Sequence, residues 1–485
     1  MKQQRAKRKP TTFQALLPIV SMFVILGIGY GVLKLKTEPL ILIASIIAGC
    51  VAYSLGYSWK EMQDAIVEKI ASTMPAMLIL WSVGLLVGGM MFCGAVPMII
   101  YYGVQIINPQ FMLVTSFLGA ALLSLVTGTS WGSAGTIGVA MMGIAGGLGV
   151  SLPATAGAVV SGAFFGDKLS PLSDTTNLAP MAAGSELYEH IKHMLYTTIP
   201  ATLVALSVYT FMGINNPVGT TESATAELMK QQLSEMFTFN PIILLPMVIV
   251  IVGSIAKWPT LPTMVSAGFL GIFLGVVVQG FSLNDGFTVL VSGFDVTMTN
   301  FGGEPSAEII RLLNRGGITS MMSTSTLVFA AMCFAGIINV SGMLNTVLEL
   351  LLKRIKSTTG LICSTIAACF TVALTTGNSY LSILVPGQLF KDAYPQKGLA
   401  AKNLSRTLED SGTVLVPLIP WSAAGAYMAA TLGVDVLDYL PYAILCYTGI
   451  IMAVICAITG FGIAKDTSNT AISSNSLPEA EACNV

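Results

Sequence analysis

Four acidic residues stand inside long apolar stretches of this sequence, and they are the first candidates for chemistry. Asp167 and Asp174 belong to GDKLSPLSDTTNLAP, and Glu409 and Asp410 belong to EDSGTVLVPLIPWS. Acids inside a membrane are costly and rare, so by default they mark an ion or proton pathway. The oxygen atoms around them suit a hard cation such as Na⁺. The oxygen-bearing neighbours in the first segment are Ser170, Ser173, Thr175, Thr176 and Asn177.

Two further polar clusters interrupt apolar runs, namely TGTSWGSAGT (127–136) and LTTGNSYLS (374–382). Backbone that leaves a helix at membrane depth is tolerated only where protein or a water-filled cavity satisfies its N–H and C=O groups. Matching breaks in two halves of a chain point to a transporter's binding site. We expect side chains of these two clusters to complete two ion pockets, and the candidates are Thr127, Thr129, Ser130, Thr375, Thr376, Asn378 and Ser379.

Three basic residues lie close to the first acids in sequence. Lys168 follows Asp167, and it is either a structural counter-ion, which we favour, or a competitor of the transported cation. His190 and His193 lie in SELYEHIKHML, on one face of a predicted short helix at the cytoplasmic surface. Two histidines at this spacing could bind a metal or sense pH. The commoner interpretation of such a stretch is a solvated amphipathic linker.

The composition is that of a membrane protein. Of 485 residues, 54% are hydrophobic and 10% are charged, whereas soluble domains have about 25% charged residues. The net charge of −1 gives no electrostatic case for nucleic acid. The eight cysteines show no metal-binding spacing, so no cofactor is expected beyond the transported Na⁺.

The segments between the polar clusters predict an all-α polytopic membrane protein, since about 20 apolar residues span a bilayer. The runs 111–126 with 131–149, and 358–374 with 379–391, fit poorly as spans, and the last is too short. We expect them to form two re-entrant hairpins. Ten spans remain, two of them broken helices: 13–33, 38–57, 74–100, 153–183 (broken), 194–213, 238–257, 259–281, 318–350, 400–433 (broken) and 438–464.

This arrangement predicts a five-plus-five inverted repeat. Most of the 23 Lys and Arg residues fall on one side, Arg354 and Lys356 among them, which places both termini in the cytoplasm of a cell (inner) membrane protein. The predicted organisation is a basic N terminus (1–12), a first membrane repeat (13–213), a polar linker (214–237), a second repeat (238–465) and a disordered C-terminal tail (466–485). A further polar loop is expected at 282–317.

At these motifs the sequence resembles the NhaC family of sodium/proton antiporters. The resemblance covers roughly 13–465, and it is most specific in TGTSWGSAGTIGVAMMGI, SGAFFGDKLSPLSDTTNLAP, EHIKHMLYTTIPA and RTLEDSGTVLVPLIPWSAAGAYMAATLGV. It implies a cation site at Asp174, Ser173, Thr176 and Asn177, with the acids of GDKLSPLSD taking part in proton exchange. Members of this family include plain Na⁺/H⁺ exchangers and a malate–proton/Na⁺–lactate antiporter.

The function that we expect is exchange of Na⁺ for H⁺ by competition at a buried carboxylate, Asp174 or Asp167. The expected partners are Na⁺, H⁺ and membrane lipid, with malate or lactate as the alternative substrates and a homodimer as the assembly. Two other classes of protein stay open. The segment GTSWG matches a hydrolase signature around Ser130, although it lacks the strand–turn–helix context of that signature. A passive channel is the other class.

Overall fold

The computed structural model of the protein describes residues 7–215, 220–353, 355 and 357–466, and it describes residues 220–226 through their backbone alone. Residues 1–6 of the basic N terminus, residues 216–219 of the predicted linker, Arg354 and Lys356, and the predicted tail from residue 467 lie outside the described residues. Most of the described residues are helical, which confirms the all-α prediction. The helices up to residue 215 are α1 (Thr12–Leu26), α2 (Thr37–Ser54), α3 (Trp59–Phe92), α4 (Ala95–Ile106), α5 (Met112–Thr127), α6 (Ser130–Ser133), α7 (Val139–Gly147), α8 (Leu152–Leu169), α9 (Asp174–Ala183) and α10 (Leu187–Ile214).

The second part of the chain is also helical, and a π-helical turn at Glu409–Thr413 continues directly from one of its helices. The helices after residue 219 are α11 (Thr220–Met236), α12 (Leu245–Ile255), α13 (Thr260–Leu274), α14 (Leu283–Ser292), α15 (Ala307–Leu313), α16 (Met322–Val340), α17 (Met343–Lys353), α18 (Thr358–Thr376), α19 (Ser379–Phe390), α20 (Ala393–Gln396), α21 (Ala401–Leu408), α22 (Ala423–Leu432), α23 (Val436–Tyr439) and α24 (Ile444–Thr459).

The helices are long and apolar enough for a polytopic membrane protein. Within the described ranges, eight helices can cross a bilayer by length and composition, and up to eleven can do so if each bent pair counts as one span. The 12-residue helix α19 is short, as the hairpin prediction requires. The helices Pro109–Thr127 and Thr358–Thr376 each have 19 residues, so length alone does not distinguish them from spans.

Two predicted single spans are divided by glycines with left-handed backbone angles. The predicted span 74–100 overlaps α3, a 34-residue helix that can cross a bilayer, but its C-terminal bound was wrong, because α3 ends near Gly94 (φ 84°) and α4 begins after it. The predicted span 318–350 contains a helix that can cross a bilayer, Ile318–Val340, but its C-terminal bound was also wrong, because Gly342 (φ 72°) separates α16 from α17. A positive φ is cheap only for glycine, and it ends a helix at that point.

The segments predicted as polar loops also form helices. The stretch 214–237 contains α11, and 282–317 contains α14 and α15. Met229, Leu233 and Met236 of α11 are buried, and α11 contacts α4, α7 and α15. The period-3.6 apolar face of α11 outweighs its polar composition, so the linker is a packed element.

Close packing of α8 against α5 positions the first candidate acid. A Cβ atom on Gly162 would lie 2.1 Å from the Phe117 carbonyl oxygen, and one on Gly166 would lie 2.3 Å from that of Ala121. The Ser124 hydroxyl also donates to the Ala163 carbonyl at 2.6 Å. Small residues on α8 therefore allow the two backbones to approach, and Asp167 is carried directly to the end of α5.

Candidate functional site

The first polar tip lies between α5 and α6. Gly128 has φ 70°, and its N–H donates to the Ser124 carbonyl at 2.7 Å to close α5. Thr129 caps α6, because its hydroxyl accepts from the Gly132 N–H at 3.3 Å. A Cβ atom on Gly128 would lie 2.7 Å from the backbone carbonyl carbon of Leu172. The tip therefore packs directly on the break between α8 and α9.

That break is stabilised by its own side chains. Ser173 caps α9, and the Thr176 hydroxyl donates to the carbonyls of Asp167 at 2.9 Å and Lys168 at 3.1 Å. Asn177 donates its amide to the Pro171 carbonyl at 2.9 Å and to the Ser173 carbonyl at 2.6 Å. Part of the predicted ligand set thus satisfies backbone groups that the broken helix leaves unpaired.

Asp167 is the carboxylate that meets the first tip. It is 7% exposed, and Ser130 donates its hydroxyl to Asp167 Oδ2 at 2.8 Å. Ser173 and Thr176 lie at the same break and are fully buried. The structure therefore brings three predicted site residues, Ser130, Ser173 and Thr176, to the break that holds the buried carboxylate of Asp167.

Asp174 and Asn177 lie outside this buried group. Both are exposed at the start of α9. The Tyr380 hydroxyl, from the second half of the chain, donates to Asp174 Oδ2 at 3.3 Å. Of the two acids predicted as carriers, Asp167 is the enclosed one, whereas Asp174 lies on the accessible side of the break.

The second tip repeats the geometry of the first. Gly377 has φ 61° and its N–H donates to the Ala373 carbonyl at 2.8 Å. Asn378 caps α19 by accepting from the Leu381 N–H at 3.1 Å. The Ala423 N–H donates to the Gly377 carbonyl at 3.0 Å, so this tip packs on the break that precedes α22.

The threonine hydroxyls before the second tip are used within α18. Thr375 donates to the Thr371 carbonyl and Thr376 to the Val372 carbonyl, each at 2.7 Å. Both side chains are buried. Each hydroxyl retains lone pairs for a cation, but its proton is committed to the helix.

The two tips share a sequence pattern. A comparison of the two halves by composition alone does not reveal it. Residues 127–133 read TGTSWGS and residues 376–382 read TGNSYLS. Thr, Gly, Ser and the final Ser match in register, with a capping residue after each glycine and an aromatic residue after the first serine. Aligning the two tips on their glycines would have found the repeat.

The matched aromatic residues each reach the other half. The Trp131 ring stacks on Tyr427 of α22, with centroids 4.2 Å apart, and the Tyr427 hydroxyl donates to the Trp131 carbonyl at 2.7 Å. Tyr380 meets Asp174 of α9 as described above. The breaks and tips of the two halves are therefore interleaved.

Lys168 pairs across the halves with Asp410. The Lys168 ammonium bonds to Asp410 Oδ1, and both side chains are buried. Thr197 of α10 donates its hydroxyl to the same oxygen at 3.1 Å. Lys168 is therefore the counter-ion of Asp410 and not of Asp167, its neighbour in sequence.

Glu409 is the most isolated acid of the group. It is fully buried on the π-helical turn, and neither carboxyl oxygen has a hydrogen-bond partner among the described residues. Thr413 and Thr175 lie close to its carboxyl group without the geometry of a hydrogen bond, and Asp167 and Lys168 lie in the same polar region. A buried, unpartnered carboxyl group is costly and requires an explanation.

The two histidines are not on a solvated linker, and that interpretation was wrong. His190 and His193 are buried in the first turns of the 28-residue α10, which packs on α21. His190 Nδ1 lies 2.9 Å from the Ser405 hydroxyl, and His193 Nε2 lies 3.1 Å from Asn403 Oδ1. No cluster of three or more metal-ligating His, Cys, Asp or Glu side chains occurs within the described ranges.

Comparison with known proteins decides the family. The profile of the Na⁺/H⁺ antiporter family matches residues 8–176 and 162–461. The chain belongs to the Na⁺/H⁺ antiporter family. This agrees with the NhaC resemblance of its motifs, and the chain is therefore a transporter of the antiporter type.

Three relatives match this chain over nearly its whole length. A protein of Haemophilus influenzae described as an uncharacterized Na⁺/H⁺ antiporter is 49% identical and covers 96% of this chain and 99% of the relative. The Na⁺/H⁺ antiporter NhaC of Alkalihalophilus pseudofirmus is 37% identical over 95% and 98% of the two chains. The malate-2H⁺/Na⁺-lactate antiporter of Bacillus subtilis is 34% identical over 96% and 98%.

Proposed function

We propose that this antiporter exchanges Na⁺ for H⁺ across the cytoplasmic membrane, with Asp167 as the carboxylate that both ions share. The observation that carries the proposal is the environment of Asp167. It is buried, it accepts a hydroxyl hydrogen bond from Ser130, and the adjacent Lys168 is paired with Asp410 instead.

The chemistry follows from burial. A buried carboxylate without a counter-ion is costly, so it holds either a cation or a proton. Hydroxyl and carbonyl oxygens suit Na⁺ as further ligands, and Ser130, Ser173 and Thr176 provide them at this break. Release of the proton opens the site to Na⁺, and protonation from the opposite side expels it.

The two halves are proposed to form an inverted repeat, with each tip belonging to a re-entrant hairpin and both termini in the cytoplasm. The matched tips at Gly128 and Gly377, and the capping serines Ser173 and Ser422 at the two breaks, support this arrangement. Alternating access then follows from movement of one bundle against the other around the site.

Asp174 is proposed to act at the entrance of the site. It is exposed beside Tyr380, and a carboxylate on the accessible side of a break attracts cations before they are enclosed. In this scheme Na⁺ meets Asp174 first and Asp167 second.

The test is Asp167→Asn in purified protein reconstituted in liposomes. Na⁺-driven proton movement should be lost, because an amide cannot exchange a proton for a cation, while insertion and yield are retained. Asp174→Asn is the matched control, and it should keep maximal exchange and raise only the Na⁺ concentration needed. Exchange at the wild-type rate by Asp167→Asn would refute the assignment of Asp167.

A further inference from the structure

We infer that Na⁺ bound at Asp167 is also held by Glu409 and Thr413, so that the ion lies between the two halves of the chain. This inference rests on the proposed function and adds a second set of ligands to it. It starts from Glu409, whose two buried carboxyl oxygens have no partner among the described residues.

The neighbouring hydroxyl is unpartnered as well. Thr413 is 1% exposed, and its Oγ1 has no hydrogen-bond partner in the described part of the chain. Glu409 and Thr413 are the first and last residues of the π-helical turn, and both face the same polar region. Glu409 and Thr413 therefore offer three buried oxygen atoms to a ligand.

These oxygens face the first half of the chain. The neighbours of the Glu409 carboxyl group include Asp167 and Thr175, and the π-helical turn packs against α8 and α9. Two carboxylates that share a buried region repel each other, and a cation between them removes that cost. Lys168 does not serve as that cation, because its ammonium is bonded to Asp410.

The donor set selects the class of ligand. Two carboxylates and threonine hydroxyls are hard oxygen ligands, without the nitrogen or sulfur that transition metals favour. A hard cation is therefore the occupant that fits, and Na⁺ is the one that this family transports.

Occupancy at Glu409 would connect the ion to the second tip. The Ser382 hydroxyl of α19 donates to the Gly412 carbonyl of the π-helical turn at 2.7 Å. A Na⁺ ion held by Asp167 and Glu409 thereby joins the first break to the turn that α19 supports. Binding of the ion would stabilise one arrangement of the two halves relative to the other.

The experiment measures Na⁺ binding and Na⁺ transport by Glu409→Gln and Thr413→Val. Na⁺-dependent thermal stabilisation in detergent reports binding without transport. Loss of a charged ligand should raise the half-saturating Na⁺ concentration by about tenfold or more, and loss of a hydroxyl by about threefold. Thr431→Val is the matched control, since Thr431 is also a buried threonine with an unpartnered hydroxyl, on α22, and it should leave Na⁺ binding unchanged.

The outcomes separate the two claims. Wild-type Na⁺ affinity in both Glu409→Gln and Thr413→Val would overturn the inference, and it would leave Glu409 as a group that only holds a proton. If Asp167→Asn still abolishes exchange, the proposed function stands in that case. If Glu409→Gln fails to fold, Thr413→Val and Glu409→Asp decide, because Thr413→Val keeps the shape of the side chain and Glu409→Asp keeps the carboxylate while moving it away from the site.

Discussion

At the scale of single residues, the buried acids differ in the partner that each carboxyl group has. Asp410 has the Lys168 ammonium and the Thr197 hydroxyl, Asp167 has the Ser130 hydroxyl, and Glu409 has no partner in the described structure. Because these carboxyl groups are buried, solvent does not screen their electrostatic interactions, and each partner strongly affects the energy of the charged form. The ion-paired acid therefore has its charge balanced within the protein, and the other two are the acids that we propose as ligands of Na⁺.

The ion pair between Lys168 and Asp410 is testable by a double-mutant cycle. Lys168→Gln leaves the Asp410 carboxylate buried without its counter-ion, which should cost about 3–5 kcal/mol. Adding Asp410→Asn should recover much of that loss, because the unpaired charge is removed. Thermal unfolding in detergent measures the single and double variants.

The exposed pair between Lys402 and Glu189 provides the comparison for that cycle. Lys402→Gln should change stability by less than about 1 kcal/mol, as for other surface pairs. Additive losses in Lys168→Gln and Asp410→Asn, with no recovery in the double variant, would show that the buried pair is not an interacting unit.

At the scale of elements, helix breaks were predictable and helix partners were not. Clusters of Gly, Pro, Ser and Asp predicted the tips and breaks, because these residues end or cap helices through their own backbone and side-chain preferences. Glycines inside long apolar runs, such as Gly94 and Gly342, were overlooked as helix ends. The pairing of Lys168 with Asp410 depends on residues 242 apart, and no local pattern encodes it.

The membrane side of each tip helix is a prediction of the inverted repeat. Single cysteines at Asn108 and Ser357, in a background without the native cysteines, precede α5 and α18. The first should react with a membrane-impermeant maleimide from outside intact cells, and the second only after the cytoplasmic side is opened. Reaction of both from the same side would contradict the inverted repeat.

At the scale of the whole molecule, the fold places a charged cluster where the two halves interleave. Tyr380 with Asp174, Trp131 with Tyr427 and Lys168 with Asp410 all join one half to the other. An ion bound at the proposed site among these contacts would touch both halves, and its binding would favour one arrangement of the halves over the other. A site within one half would lack that connection.

Uphill Na⁺ movement distinguishes this exchange from a channel, and its independence of malate and lactate distinguishes it from organic-acid exchange. The decisive measurement is uptake of radiolabelled Na⁺ into proteoliposomes that have an acidic interior, with Na⁺ equal on both sides and without malate or lactate. We predict Na⁺ accumulation above the external concentration, lost when the pH gradient is collapsed. Equilibration without accumulation would identify a passive pathway, and accumulation only with malate or lactate present would contradict plain Na⁺/H⁺ exchange.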